Sequence, residues 1–204
     1  VMSQFALPGP FYQCFAVSTT PDPTGPWYRY AFVVSATKMN DYPKVGVWQD
    51  GYYMTVNQFV GGSSWGGLGV FVYERDQMLV GGVARQIYFD TGAVTLNYGG
   101  ALPADLDGPA PPPGTPNYVM EWDDSTWLSD PTDTLRIWEV HTDWTNPAAS
   151  TFGINASFDP NLLIPTADAQ VVGSGTAAAH AHAATHFHQA VIGGTHGHRQ
   201  IVIL

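Results

Sequence analysis

The sequence predicts an all-β protein, and three observations carry that expectation. Charged residues make up only 12% of the 204-residue chain, while aromatic residues reach 13%; an ordinary soluble domain is about one quarter charged. Turn formers are plentiful, with 22 Gly and 16 Pro, so the chain is cut into short segments. Between the turns, apolar residues alternate or run for a few positions, which is the periodicity of strands joined by structured loops and not of amphipathic helices.

Taken in chain order, the strand-like segments follow a loose repeat. FAVSTTPDPTGPWYRYAFVV (15–34), FVYERDQMLVGGVARQIYFD (71–90) and WEVHTDWTNPAASTFGINAS (138–157) each open on an apolar strand, pass through a polar or Pro/Gly loop and re-enter a strand. Aligning Val17, Val72 and Val140 gives offsets of 55 and 68 residues. The second and third units are each preceded by another hairpin. In VGVWQDGYYMTVNQF (45–59) the turn falls at Asp50-Gly51, and in NYVMEWDDSTW (117–127) at Asp123-Asp124. Four strands in roughly 55–70 residues is the size of a propeller blade. The expected fold is therefore a β-propeller-like repeat of four-stranded antiparallel units, with a β-sandwich of irregular hairpins as the alternative. Propellers close with at least about four blades, so the array is expected to be incomplete. Further blades in a parent chain, or assembly of several copies, would complete it.

Two composition changes mark the organisation. LPADLDGPAPPPGTP (102–116) holds six prolines; fixed φ and missing donors suggest an extended surface connection between blades. From about residue 171 the chain loses all Asp, Glu, Trp, Tyr and Pro and holds six of its seven histidines. The expected division is a β region over 1–170 and a His/Ala-rich tail over 171–204, whose composition sets it apart from the body.

The net charge of −10, with seven Lys plus Arg scattered singly, argues against nucleic acid, which demands clustered cations. It equally disfavours an anionic membrane surface, and no apolar run approaches the ~20 residues of a spanning helix. No signal peptide precedes Val1, suggesting a mature chain or part of a longer one. A neutral polyol, a sugar or a cation fits the charge. Cys14, the single cysteine, can form no internal disulfide and is expected as a small strand residue.

AVSTTPDPTGPWYRY (16–30) resembles an outer-strand segment of five-bladed propeller glycosidases of the arabinanase and β-xylosidase type. DYPKVGVWQDGYYMTVNQF (41–59) resembles the inner-strand entry of the same folds. The segments at 41–54, 103–118 and 141–152 more closely resemble a group of exported bacterial β-propeller-like proteins that carry them in this order. The resemblance covers about residues 10–160 and implies a propeller fold and an extracellular location. In the glycosidases an Asp at this strand entry is the general base. The resemblance therefore implies that role for Asp41, with Glu121 or Asp123 as the partner acid. Propeller architecture hosts many functions, and these carboxylates also suit turn and strand positions.

Aromatic residues offer stacking surfaces for sugar rings. Trp65, Trp27, Tyr53 and Trp122 are the candidate ligand contacts, with Trp48, Tyr52 and Trp127 in the wider set; Trp65, in GGSSWGG (61–67), is expected on a flexible glycine loop. Asp105-Leu106-Asp107-Gly108 is half of a Ca²⁺ site or an ordinary turn. The pairs His180/His182, His186/His188 and His196/His198 have the spacing to hold Zn²⁺ or Cu²⁺ from one strand face. The expected function is binding of a glycan or other surface polymer by an exported protein, without assured catalysis. The alternatives are glycoside hydrolysis with Asp41 as base and metal binding through the His-rich tail.

Overall fold

The computed structural model describes residues 1–125, 132–166, 190–195 and 198–203. The fold is all-β, built of antiparallel sheets none of which closes into a barrel. The first sheet joins β1 (Met2–Ala6), β2 (Phe11–Ser18) and β3 (Trp27–Ser35) in sequential order. The second joins β4 (Lys38–Val47), β5 (Tyr52–Val60), β6 (Ser64–Tyr73) and β7 (Gln86–Asp90), again in sequential order. The third runs through β8 (Leu102–Asp105), β9 (Asn117–Asp123), β10 (Thr134–His141) and β11 (Thr151–Phe152). β12 (Leu162–Pro165) shares the outer edge of β10 with β11. β13 (Ala190–Thr195) pairs parallel with β8, and β14 (His198–Ile203) extends it antiparallel.

The middle sheet holds the molecule together, and its sequence explains how. Successive strand residues point to opposite faces. Tyr52, Met54 and Val56 of β5, with Phe71 and Tyr73 of β6, pack on Phe15, Val17 and Val34 of the first sheet. Tyr53 of β5, with Leu68, Val70 and Val72 of β6, packs on Val119, Ile137, Trp138 and Phe152 of the third. Both faces are buried, so these strands are near-continuous apolar runs where a one-sided strand would alternate apolar and polar residues.

The expected hairpin at Asp50-Gly51 is present, closed by Trp48 N–H donating to Gly51 O at 3.0 Å. β9 and β10 pair antiparallel as expected, but Asp123 lies inside β9, not in the turn. Between β6 and β7 runs a short helix, α1 (Arg75–Leu79), which strand periodicity did not reveal. Its Met78 fills the first core.

The Pro-rich stretch 102–116 is not a surface connection throughout, because its first residues form β8, buried against β4. Asn117 Nδ2 donates to Ala104 O at 2.9 Å, and Leu106 N–H donates to Val47 O at 3.0 Å. Val47 N–H donates to Asp105 Oδ1 at 2.6 Å. None of these bonds needs an N–H from Pro103, which is how the strand tolerates proline. The two strands approach so closely that a Cβ on Gly46 would overlap Ala104 O. Gly46→Ala is therefore expected to destabilise the fold by about 1–3 kcal/mol, read as a lower urea midpoint at unchanged m value.

Candidate functional site

Strand register decides which side chains share a surface at the end of the second sheet where β4 begins. Asp41 pairs with Asn57 on β5, and Phe59 pairs with Trp65 on β6. By alternation these four residues lie on the face turned toward the third sheet. A β-bulge between Asp41 and Lys44 interrupts the ladder here. Within it Tyr42 adopts φ 53°, a left-handed conformation uncommon for a residue with a Cβ. Asp41 Oδ1 accepts Tyr42 N–H at 2.9 Å, and Lys44 Nζ sits 3.6 Å from the Tyr42 ring centre.

Trp65 is held by more than the strand ladder. It lies in β6 and not on a free glycine loop. Its indole N–H donates to Leu96 O at 2.8 Å, and its ring stands edge-on to Phe59 at 5.7 Å and 72°. The far edge of the indole rests on Gly99, where a Cβ would stand only 2.5 Å from Cη2. The glycines nearby serve close approach, since a Cβ on Gly92 would overlap Gly66 O. Fixed on these sides, Trp65 still leaves 38% of its surface exposed.

The segment beneath the indole is tied to both neighbouring sheets. Gly100 N–H donates to Asn57 Oδ1 at 2.8 Å, and Gly99 N–H donates to Glu121 Oε1 at 3.0 Å. Glu121 is 5% exposed and stands directly across the ladder from Arg136. Arg136 Nη2 donates to Asp123 Oδ2 at 2.8 Å, while its Nη1 lies 3.7 Å from Glu121 Oε2. The Arg136 guanidinium also sits 5.5 Å from the Tyr98 ring centre. Burial pushes the Glu121 carboxyl up to about 8; Arg136 and the Gly99 N–H offset only part of this, and the Asp123 charge adds to it.

The opposite face of the same sheet end carries a second polar group, turned toward the first sheet. Lys38 Nζ donates to both Asp90 oxygens at 2.7 Å, and Gln58 Nε2 donates to Asp90 Oδ1 at 2.8 Å. The Tyr88 hydroxyl donates to Gln58 Oε1, and Asn40 Nδ2 donates to Gln13 Oε1 at 2.8 Å. Burial and the Asp90 charge raise the Tyr88 hydroxyl far above the ordinary tyrosine range. Gln13, Asn40 and Gln58 are fully buried; the Asn40–Gln13 bond links the second sheet to the first, while Lys38, Asp90, Gln58 and Tyr88 bond among themselves within the second.

The structure thus brings Asp41 and Trp65 to one face and places Glu121 in the layer beneath, linked through Gly99. Glu121 and Asp123 are enclosed and committed to Gly99 and Arg136. Tyr53 belongs to the core, with its hydroxyl hydrogen-bonded to Thr142 Oγ1 at 2.8 Å and Asp50 Oδ1 at 3.0 Å, so it offers no ligand surface. Trp27 is half-buried on the first sheet, its indole N–H donating to Pro23 O at 3.1 Å. Trp122 is half-buried on β9, facing away from Glu121 and Asp123. Asp105 uses Oδ1 on Val47. Among the described residues no group of three or more His, Cys, Asp or Glu is placed to hold a metal ion. His180, His182, His186, His188, His196 and Trp127 lie outside the described residues, and His198 is placed only as a position in β14. Among the described residues no helix is long and apolar enough to cross a membrane. Asn57, Gly99, Gly100 and Arg136 were not singled out from the sequence; the Gly99-Gly100 pair just ahead of β8 was the one available signal.

No protein-family model, curated protein or solved structure matches the chain.

Glu121 gives the fold a pH dependence with a definite sign. Its folded-state pKa lies above the ordinary glutamate value of 4.5, so between the two values the folded chain binds the proton and the unfolded chain does not. This contribution is full at low pH and is lost as pH rises through that window. The Glu121→Gln variant should show a flatter fall in urea midpoint from about pH 5 to about pH 8 than the wild type, by the equivalent of a few kcal/mol.

Proposed function

We propose that the chain is a propeller-like segment of an exported protein that binds a glycan or similar surface polymer at the Trp65 face without processing it. The observation that carries this reading is the fixed but half-open indole of Trp65, which shares a sheet face with Asp41 and Asn57. Flat apolar sugar faces pack on such rings while carboxylate and amide groups take the flanking hydroxyls. The unusual backbone of Tyr42 adds support, because such outliers cluster at functional sites.

The propeller reading is supported by the order of strands within each sheet and by the stacking of sheets. The first two sheets and the β8–β11 part of the third run in sequence, and both faces of the second are covered by its neighbours. The opening strands β4 and β8 lie side by side, as inner strands of adjacent blades do. In this reading the far face of the first sheet, carrying Met2, Cys14, Ala31 and Val33, receives a further blade from a parent chain or from a second copy. The segments resembling exported propeller-like proteins fall on β4–β5, the β8–β9 region and the β10–β11 connection, and the one resembling the propeller glycosidases' outer strand falls on β2–β3.

One observation favours hydrolysis as a second reading: a carboxyl with its pKa raised to about 8 holds the proton a general acid needs at neutral pH. Against it, Glu121 and Asp123 are 5% and 1% exposed, so neither meets a substrate oxygen without rearrangement.

The test is affinity electrophoresis and calorimetry against soluble xylan, arabinan and mixed-linkage glucan, with reducing-end release assayed in parallel. Binding of at least one polymer, no release, and a weakening of about tenfold (~1.4 kcal/mol) on Trp65→Ala are expected. Sugar release that is abolished by Asp41→Asn would replace this reading with the hydrolytic one.

A further inference from the structure

We propose that Glu121 is a positioning residue for the Trp65 platform: through the hydrogen bond from Gly99 it fixes the segment on which the indole rests, so that a change in its charge is felt at the ring and in ligand binding. The inference deepens the glycan-binding reading and rests on it only for its consequence for affinity.

A short chain of contacts leads from Glu121 to the indole. Glu121 Oε1 accepts Gly99 N–H at 3.0 Å. The Cα of Gly99 touches the indole so closely that even a methyl group there would stand 2.5 Å from Cη2. The other end of the same segment is held by Leu96 O accepting the indole N–H at 2.8 Å. Gly100 is tied to Asn57, the ladder partner of Asp41. Displacing Gly99 therefore changes the support under the ring without breaking the β6 ladder.

What makes Glu121 a control and not only a strut is its unequal satisfaction. Glu121 Oε2 is buried and has no hydrogen-bond partner. Among the described residues, the charged groups facing it are Arg136 from β10 and Asp123 from its own strand. Beyond these stand Asp133, which accepts Ser125 N–H at 2.9 Å, and Tyr98, whose ring lies by Arg136. From the second sheet, the nearest titratable group in the chain of contacts is Asp41, through Asn57. Arg136 is already engaged at 2.8 Å by Asp123, leaving Glu121 Oε2 a 3.7 Å approach. A proton lost from Glu121 strengthens the Gly99 N–H bond at Oε1 and puts part of the charge on Oε2, which is relieved by drawing Arg136 closer or admitting water. Either movement occurs in the layer directly beneath Gly99.

The experiment labels the full chain with 5-fluorotryptophan and assigns the Trp65 resonance by its loss in Trp65→Phe. Without any ligand, the Trp65 fluorine shift is expected to titrate with a midpoint of about 8. Glu121→Gln, which retains an acceptor for Gly99 and has no proton to lose, should keep the neutral-pH shift and abolish the titration. Gly99→Ala should move the same resonance at every pH. In the affinity arm, the polymer bound best among xylan, arabinan and glucan should change about threefold in affinity between about pH 6.5 and about pH 9 in the wild type, and less in Glu121→Gln. A Trp65 resonance that does not titrate, or that titrates unchanged in Glu121→Gln, overturns the positioning role whatever the polymer does. A resonance that titrates as described with no polymer bound upholds the positioning role and removes the glycan reading instead.

Discussion

The structure depends on a middle sheet that is buried on both sides. β5 and β6 send alternate residues into two separate cores, and neither face of that sheet can be withdrawn without exposing large aromatic and aliphatic surface. The consequence is register. A one-residue slip of β5 would exchange Tyr52, Met54 and Val56 with Tyr53, Thr55 and Asn57, placing each set against the wrong neighbour. Thr55 and Asn57 could not make that exchange cheaply, since each is hydrogen-bonded to the segment that leads into β8.

The same constraint produces the site. At one end of the sheet the apolar residues give way to polar ones on both faces. Toward the first sheet, Gln58, Tyr88, Asp90 and Lys38 use their polarity on each other, and Asn40 donates to Gln13 across the two sheets. Toward the third sheet, the 91–100 segment intervenes, and Gly99 lets the far edge of the Trp65 indole rest against backbone. The indole is thereby fixed in orientation at an edge that still meets solvent, a preorganised surface that need not be ordered again on binding. Beneath it, Glu121 and Arg136 are buried polar groups whose arrangement costs stability and is expected to be sensitive to pH.

Much of the architecture was legible in the sequence, and the failures have physical causes. Asp50-Gly51 marked the β4–β5 hairpin correctly. β8 was hidden because proline is counted against strands, yet the links around Pro103 use Asn117, Val47, Asp105 and Leu106 instead of its missing N–H. The helix at Arg75–Leu79 is too short for its periodicity to stand out. Trp65 was expected on a flexible loop but lies in β6, because glycines that allow close backbone contact look in sequence like glycines that confer freedom. Glu121 and Asp123 were singled out by resemblance to catalytic acids. Their contacts with Arg136 and Gly99 join residues far apart in the chain, which no local pattern encodes.

The central claim is that the Trp65 face is where this protein meets its ligand. It is tested most directly by backbone and indole amide chemical-shift mapping with xylo- and arabino-oligosaccharides. The account predicts that the largest shifts fall on the Trp65 indole N–H, the Gly99 and Gly100 amides, and Asp41–Tyr42. Shifts confined to other surfaces, such as Trp27 or Trp122, with the Trp65 indole unmoved, would contradict it.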